Sequence, residues 1–213
     1  VRAGNTFDTG SGPSVTDWTS FVTVTTPDAP APYRCSATPY AWVSGTGSTL
    51  SMGDDTATTV TLPFTFTYYD TAYTTMAVGS NGLLGFGSSP TDYVNGTLPT
   101  AAAPNGIVAP FWDDLYPGLG GTVTTATAGT APNRSFAVSW TGVPHYSVSG
   151  SAVTFQAVLD EATGSITFQY DDTTFGSTAY DRGQSATIGI ESPDGQFGTL
   201  VGYNRISTGD GTA

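Results

Sequence analysis

The chain has no lysine, one histidine and one cysteine among 213 residues, and each shortage removes a class of chemistry. Five basic residues, all arginine, stand against seventeen acidic ones for a net charge of −12, a balance that repels phosphate backbones and anionic lipid. Nucleic acid is not an expected partner. The single cysteine, Cys35, cannot form an intrachain disulfide and reads as a small buried hydrophobe. The single histidine, His145, cannot build a His-rich zinc site, and Cys35 would bring such a site to only two ligands. Without lysine, the Lys–Asn isopeptide crosslinks that stiffen some pilus domains cannot form. No apolar run reaches the roughly 18 residues of a membrane-spanning helix, so membrane insertion is not expected. No signal peptide is visible, and a start at Val1 fits a processed, secreted product.

The same shortages weigh against hydrolysis. Any serine or cysteine nucleophile would need His145 as its base, no Gly-x-Ser-x-Gly elbow is present, and His145 reads as structural. Phe7-Asp8-Thr9-Gly10-Ser11 matches the local signature of aspartic proteases, but the second Asp-Thr-Gly that would share a proton with it is missing. Glu161, Glu191 and fifteen aspartates offer carboxylates for a glycosidase, yet no spacing selects a pair. The expectation is a protein without catalytic residues.

What the chain does have is threonine, serine, glycine, and apolar residues at every second position. Hydrophobic residues make up 38%, with eleven Phe and eleven Tyr, enough for one core in a chain long enough to bury roughly 70% of its unfolded surface. Val60 and Leu62, then Phe64, Phe66 and Tyr68, each fall on one strand face. So do Phe136, Val138 and Trp140, then Val153, Phe155, Ala157 and Leu159, then Ile166, Phe168 and Tyr170. Thr, Ser and Gln alternate with them, as on sheets with one face in water. Further strands are predicted near residues 20–25, 76–79, 83–87, 107–111, 122–126, 186–191 and 198–203. Asn81-Gly82, Thr163-Gly164 and Asp194-Gly195 supply the positive φ that tight hairpins need. About a dozen short antiparallel strands indicate an all-β fold, a β-sandwich with the jelly roll as one form and a barrel as the alternative. Three prolines in residues 27–32 separate an N-terminal arm, residues 1–26, from a sandwich domain, residues 33–213. The arm's candidate strand, residues 20–25, could fold back onto its own sheet or pair with another copy and propagate a homo-polymer.

Carboxylate clusters make calcium the metal to expect, because it takes hard oxygen ligands. The candidate ligands are Asp113 and Asp114 at the end of an apolar strand, with Asp171 and Asp172 and with Asp54 and Asp55. Asp160 and Glu161 form a fourth pair. Turn-capping by backbone N–H groups is the competing use for all of them. Asn95-Gly96-Thr97 and Asn133-Arg134-Ser135 are glycosylation sequons. Trp18, Trp42, Tyr68, Tyr69, Tyr116, Tyr146, Tyr180 and Tyr203 are candidate platforms for a glycan ligand.

One run joins these features: Ile107 to Leu115, an apolar strand that ends in Asp113-Asp114. Ser80-Asn81-Gly82-Leu83-Leu84-Gly85-Phe86-Gly87 precedes it, and the strands of residues 136–146, 154–159 and 166–170 follow. In this order and spacing, residues 64–170 resemble the extracellular domain first recognised in nidogens, and the related modules of secreted bacterial proteins, subtilisin-like proteases among them. The resemblance implies an extracellular, bacterial, non-catalytic interaction module: an adhesive domain or an appendage or filament subunit that binds itself, another protein or a glycan. The alternative it implies is an accessory or carbohydrate-binding domain of a secreted hydrolase.

Overall fold

The computed structural model describes residues 21–25, 33–148, 150 and 152–205. Its thirteen strands are β1 (Phe21–Thr25), β2 (Arg34–Thr38), β3 (Thr49–Leu50), β4 (Ala57–Tyr68), β5 (Thr71–Gly79), β6 (Leu83–Gly85) and β7 (Ile107–Trp112), followed by β8 (Thr122–Thr130), β9 (Asn133–Val143), β10 (Val153–Asp160), β11 (Ile166–Asp172), β12 (Thr187–Glu191) and β13 (Gly198–Tyr203). They form two antiparallel sheets, ordered β2-β1-β11-β10-β9-β8-β3 and β13-β12-β7-β6-β5-β4. Each sheet is a four-strand meander, β8 to β11 or β4 to β7, extended by a pair of neighbouring strands at one end, with β3 added beside β8 in the seven-stranded sheet. The connectivity is therefore mostly local, rather than the alternate crossing of a jelly roll. The arm's strand lies inside a sheet: β1 pairs with β2 on one side and β11 on the other. Asp8, Trp18 and residues 27–32 lie outside the described residues.

The period-two pattern does what it predicts on the inner faces. Leu62, Phe64, Phe66 and Tyr68 of β4 are buried while Thr61, Thr65 and Thr67 face out. Trp140 of β9 stacks on Phe155 of β10 at 4.9 Å, and Phe155 meets Phe111 of β7 at 5.4 Å, closing the core between the sheets. Polar tips of core aromatics tie the layers together. Trp140 Nε1 donates to Gly79 O, and the Tyr170 hydroxyl donates to Pro110 O at 2.6 Å. Cys35, expected in the core, is instead exposed on β2, an edge strand whose side chains face mostly solvent.

The outer face of the seven-stranded sheet departs from the prediction of open water. Gln156, Gln169 and Ser139 point outward yet are buried, because residues 39–48 run across them as a strap. The Gln169 amide accepts from Ala41 N and donates to Ala41 O, and the Gln156 amide does the same with Val43. Two side-chain amides thus pair with residues two apart, as a neighbouring strand would. Gly45 and Gly47 let the strap sit on β8, since a Cβ at either would meet the Thr127 or Thr125 carbonyl within about 2 Å, at 2.1 and 1.7 Å. The strap has no strand pattern of its own; its register is set by those amides.

Gln156 makes three hydrogen bonds, to both sides of Val43 and to the Ser139 hydroxyl. Gln156→Leu is expected to cost about 2–3 kcal/mol in urea unfolding, the sum of modest net bonds and unsatisfied partners. Amide exchange at Val43 should accelerate, while Ala41, held by Gln169, stays the slower of the two. Unchanged stability and exchange would mean that the strap is held by other contacts.

Candidate cation site at one end of the sandwich

The site starts from the Asn81-Gly82 turn between β5 and β6. Gly82 has φ +72°, and a Cβ there would strike the Phe111 carbonyl at 2.0 Å, so the turn lies directly against β7. Asn81 is fully buried, and its backbone and side chain reach three neighbouring segments. Its Nδ2 donates to Asp55 Oδ1 at 2.7 Å and to Thr91 O, while its Oδ1 accepts from Leu115 N and its carbonyl from Asp113 N. Beside it, Ser80 N donates to Thr56 O, and the Ser80 hydroxyl accepts from Thr56 N. The turn of residues 53–56 and the end of β7 are thereby clamped to one tip.

The clamp brings Asp54, Asp55 and Asp114 together. One carboxylate oxygen from each lies within 4.8 Å of the others. Around a cation bound at 2.3–2.6 Å, opposite oxygens are separated by about 5 Å, so the three fit one coordination sphere. Asp54 Oδ1 is sealed from solvent and has no hydrogen-bond partner. Burial raises the pKa of Asp54, and the neighbouring Asp55 charge raises it further. Asp114 is likewise raised by burial, with His145 opposing and Asp55, Asp54 and Asp113 adding. An all-oxygen donor set with no thiolate or imidazole suits calcium rather than zinc.

Of the six predicted ligands, these three converge and three serve elsewhere. Asp113 is buried and occupied: Oδ2 accepts from the Ser185 hydroxyl at 2.6 Å, Oδ1 accepts from Asp114 N, and His145 Nε2 faces Oδ1 at 3.4 Å. Asp172 caps a turn by accepting from the Thr174 amide and hydroxyl, and Asp171 receives the Tyr40 hydroxyl at the opposite edge of the sequence pattern. The fourth carboxylate pair is spent too, with Asp160 holding Thr163 and Glu161 paired with Arg134. His145 is buried, its Nδ1 accepts from Ser147 N, and Nε2 is left to donate toward Asp113. The Ser185 hydroxyl bonds the aspartate rather than the imidazole, so this trio lacks the serine–histidine contact a nucleophile needs. The missed residue is Asn81, whose sequence signal read only as a hairpin turn.

Among the predicted aromatic platforms, Tyr68 is core, Tyr180 packs on the His145 ring at 4.0 Å, and Tyr146 stands exposed beside Tyr116 with ring centres 6.0 Å apart. No helix is long and apolar enough to cross a membrane among the described residues.

A two-sheet antiparallel sandwich with local meanders and a loop-end carboxylate cluster defines an all-β module. The NIDO-related family model matches residues 32–210, and the chain belongs to that family. No curated protein and no solved structure matches it.

Raised carboxylate pKa values fix the sign of a pH effect. An aspartate that holds its proton more tightly when folded adds stability below its unfolded value, near 3.8, and that stability is lost as pH rises through the higher folded value. In chelator, Asp54→Asn is therefore expected to melt higher than the parent at pH 7 and to match it near pH 3. Equal melting at both pH values would mean that the cluster carries no repulsion.

Proposed function

We propose that the chain is a non-catalytic interaction module of the extracellular surface whose loop end is locked by calcium at Asp54, Asp55 and Asp114. The observation that carries this reading is the sealed, unpartnered Asp54 Oδ1 inside a cluster of three carboxylates. A buried carboxylate oxygen without a donor is costly, and a divalent cation supplies its missing partner while neutralising the charge of all three carboxylates. Asn81 holds Asp55 in place for the ion, as outer hydrogen bonds commonly orient ligating groups.

A ligand that binds only the folded state stabilises it by roughly 2.7 kcal/mol at 100 times its dissociation constant. Calcium at that excess should therefore raise the melting temperature of the parent by roughly 5–10 °C for a chain of this size. Asp54→Asn and Asp114→Asn should abolish that rise, whereas Asp171→Asn and Asp172→Asn leave it intact. No calcium shift in the parent, across calorimetry and direct titration, would remove the cation from the reading.

Self-association is the second part of the proposal. Strand β1 joins β2 and β11 through backbone ladders in the registers Val22↔Ala37 and Val22↔Phe168, and a second copy's β11 offers the same ladder. Pro27, Pro30 and Pro32 follow it in the sequence. Exchange of β1 between copies would preserve every backbone bond and link chains head to tail. Sedimentation of the intact chain at rising concentration should show dimers and larger species that disappear on deletion of residues 1–26. Monomers in both samples at every concentration would assign β1 to its own sheet permanently.

A further inference from the structure

The strap leaves part of the outer face of the seven-stranded sheet uncovered, and the uncovered part is a groove. Residues paired directly across antiparallel strands share a face. The registers Thr49↔Thr124, Thr124↔Ser139, Ser139↔Gln156 and Gln156↔Gln169 therefore form one continuous polar row across β3, β8, β9, β10 and β11. The strap's peptide groups consume the two glutamines. Beyond them the strap lifts toward β8, where Thr46 bridges Thr127. Between strap and sheet lies an open trough of about 330 Å³, floored by Thr49, Thr124 and Ser139, extended by Thr141 and bordered by Trp42.

We infer that this trough binds a neutral carbohydrate, with Trp42 as the stacking platform and the hydroxyls of Thr49, Thr124, Ser139 and Thr141 as the polar contacts. None of the lining residues is charged, in a chain of net charge −12, so the trough does not select a cationic or anionic ligand. Within the described residues the hydroxyls of Thr49, Thr124 and Thr141 make no hydrogen bond, and a hydroxyl both donates and accepts, the match for a sugar hydroxyl. Trp42 is half-buried, which leaves part of an indole face for the C–H side of a sugar ring. The walls are fixed before any ligand arrives: Gln156 and Gln169 hold the strap on one side, and Ser48 N and O are both bonded to the Thr125 hydroxyl on the other. Preformed walls lower the ordering cost that otherwise weakens sugar binding. The inference rests on the reading of an interaction module and is independent of the cation.

The test titrates the full chain with cellohexaose, laminarihexaose, chitohexaose and maltohexaose, and with a nona-arginine peptide, by calorimetry and amide-resolved NMR, in calcium and in EDTA. At least one sugar is expected to bind saturably, shifting the Thr124 and Ser139 amides and the Trp42 indole, with equal affinity in EDTA. Trp42→Ala should weaken it about tenfold or more. Thr141→Arg, at an exposed position that leaves the fold intact, should block it to the same degree, and Tyr146→Ala, outside the trough, should leave it unchanged. The inference is overturned if no sugar binds up to about 10 mM, or if binding survives both Trp42→Ala and Thr141→Arg. It is equally overturned if binding vanishes in EDTA while the trough's spectrum is intact, or if only the arginine peptide shifts the trough. None of these results bears on the calcium-dependent melting, so the two readings fail separately.

Discussion

One buried amide sets the geometry of the functional end. Asn81 has no exposed surface, and through four hydrogen bonds it joins its own turn to Asp55, to Thr91 and to both Asp113 and Leu115. Those partners belong to three different connections, and connections have little intrinsic reason to converge. Removing the amide would leave the Leu115 N–H with the Asp113 carbonyl alone and take from Asp55 the donor that holds its carboxylate at the tip. Replacing it by leucine would not restore the clamp, because no apolar side chain can donate and accept at once. The close approach that makes this possible is the glycine beside it, where the Phe111 carbonyl stands in the place of a Cβ.

The same physics operates on the outer face of the seven-stranded sheet. Gln156 and Gln169 lie side by side in register and treat the strap as a strand, each giving and receiving one bond with residues 41 and 43. The sandwich is thus closed at two places by side-chain amides, which add to the backbone bonds of Thr46 and Ser48 with β8 and of Asn81 with Asp113. In both, the apolar pattern supplies the platform and a few buried polar groups determine where the irregular segments lie. That division explains why a chain with only 10% charged residues can still position polar chemistry with care: it uses neutral amides and hydroxyls, which are less costly to bury than charges.

The sheets were legible because period two is a physical consequence of the pleat, and the runs of residues 60–68, 136–140, 153–159 and 166–170 carry it. The positive φ at Gly82, Gly164 and Gly195 was legible for the same local reason. The strap was not, since Pro39, Gly45 and Gly47 give residues 39–48 no alternation, and its position is decided by glutamines more than a hundred residues away. The carboxylates were half legible. Composition and pairing selected Asp54, Asp55 and Asp114 along with three others, but which of them meet depends on Asn81, and short-range reading sees Asn81-Gly82 only as a turn. Asp113, first in the strand-end pair, is drawn inward by Ser185 and His145, and its neighbour Asp114 remains with the cluster because alternate residues of an extended segment point to opposite sides.

An account of the acidic groups then separates structure from function. Glu161 is committed to Arg134, Asp160, Asp172 and Asp194 to their own turns, Asp181 to the amides of Phe175 and Ser177, and Asp113 to Ser185. Glu191 is buried with its Oε1 receiving Thr100 N, and burial pushes its pKa up to about 7. Glu191 has no base, acid or nucleophile facing it among these contacts, so the raised value marks a carboxyl enclosed by its sheet. Satisfied groups hold the fold and have little capacity left for a ligand. Among the described residues, uncommitted polar groups gather at two places: the Asp54–Asp55–Asp114 cluster, where charge gathers without a counter-charge, and the row beneath Trp42, where the Thr49, Thr124 and Thr141 hydroxyls lack partners. One suits a hard cation and the other an uncharged polyol.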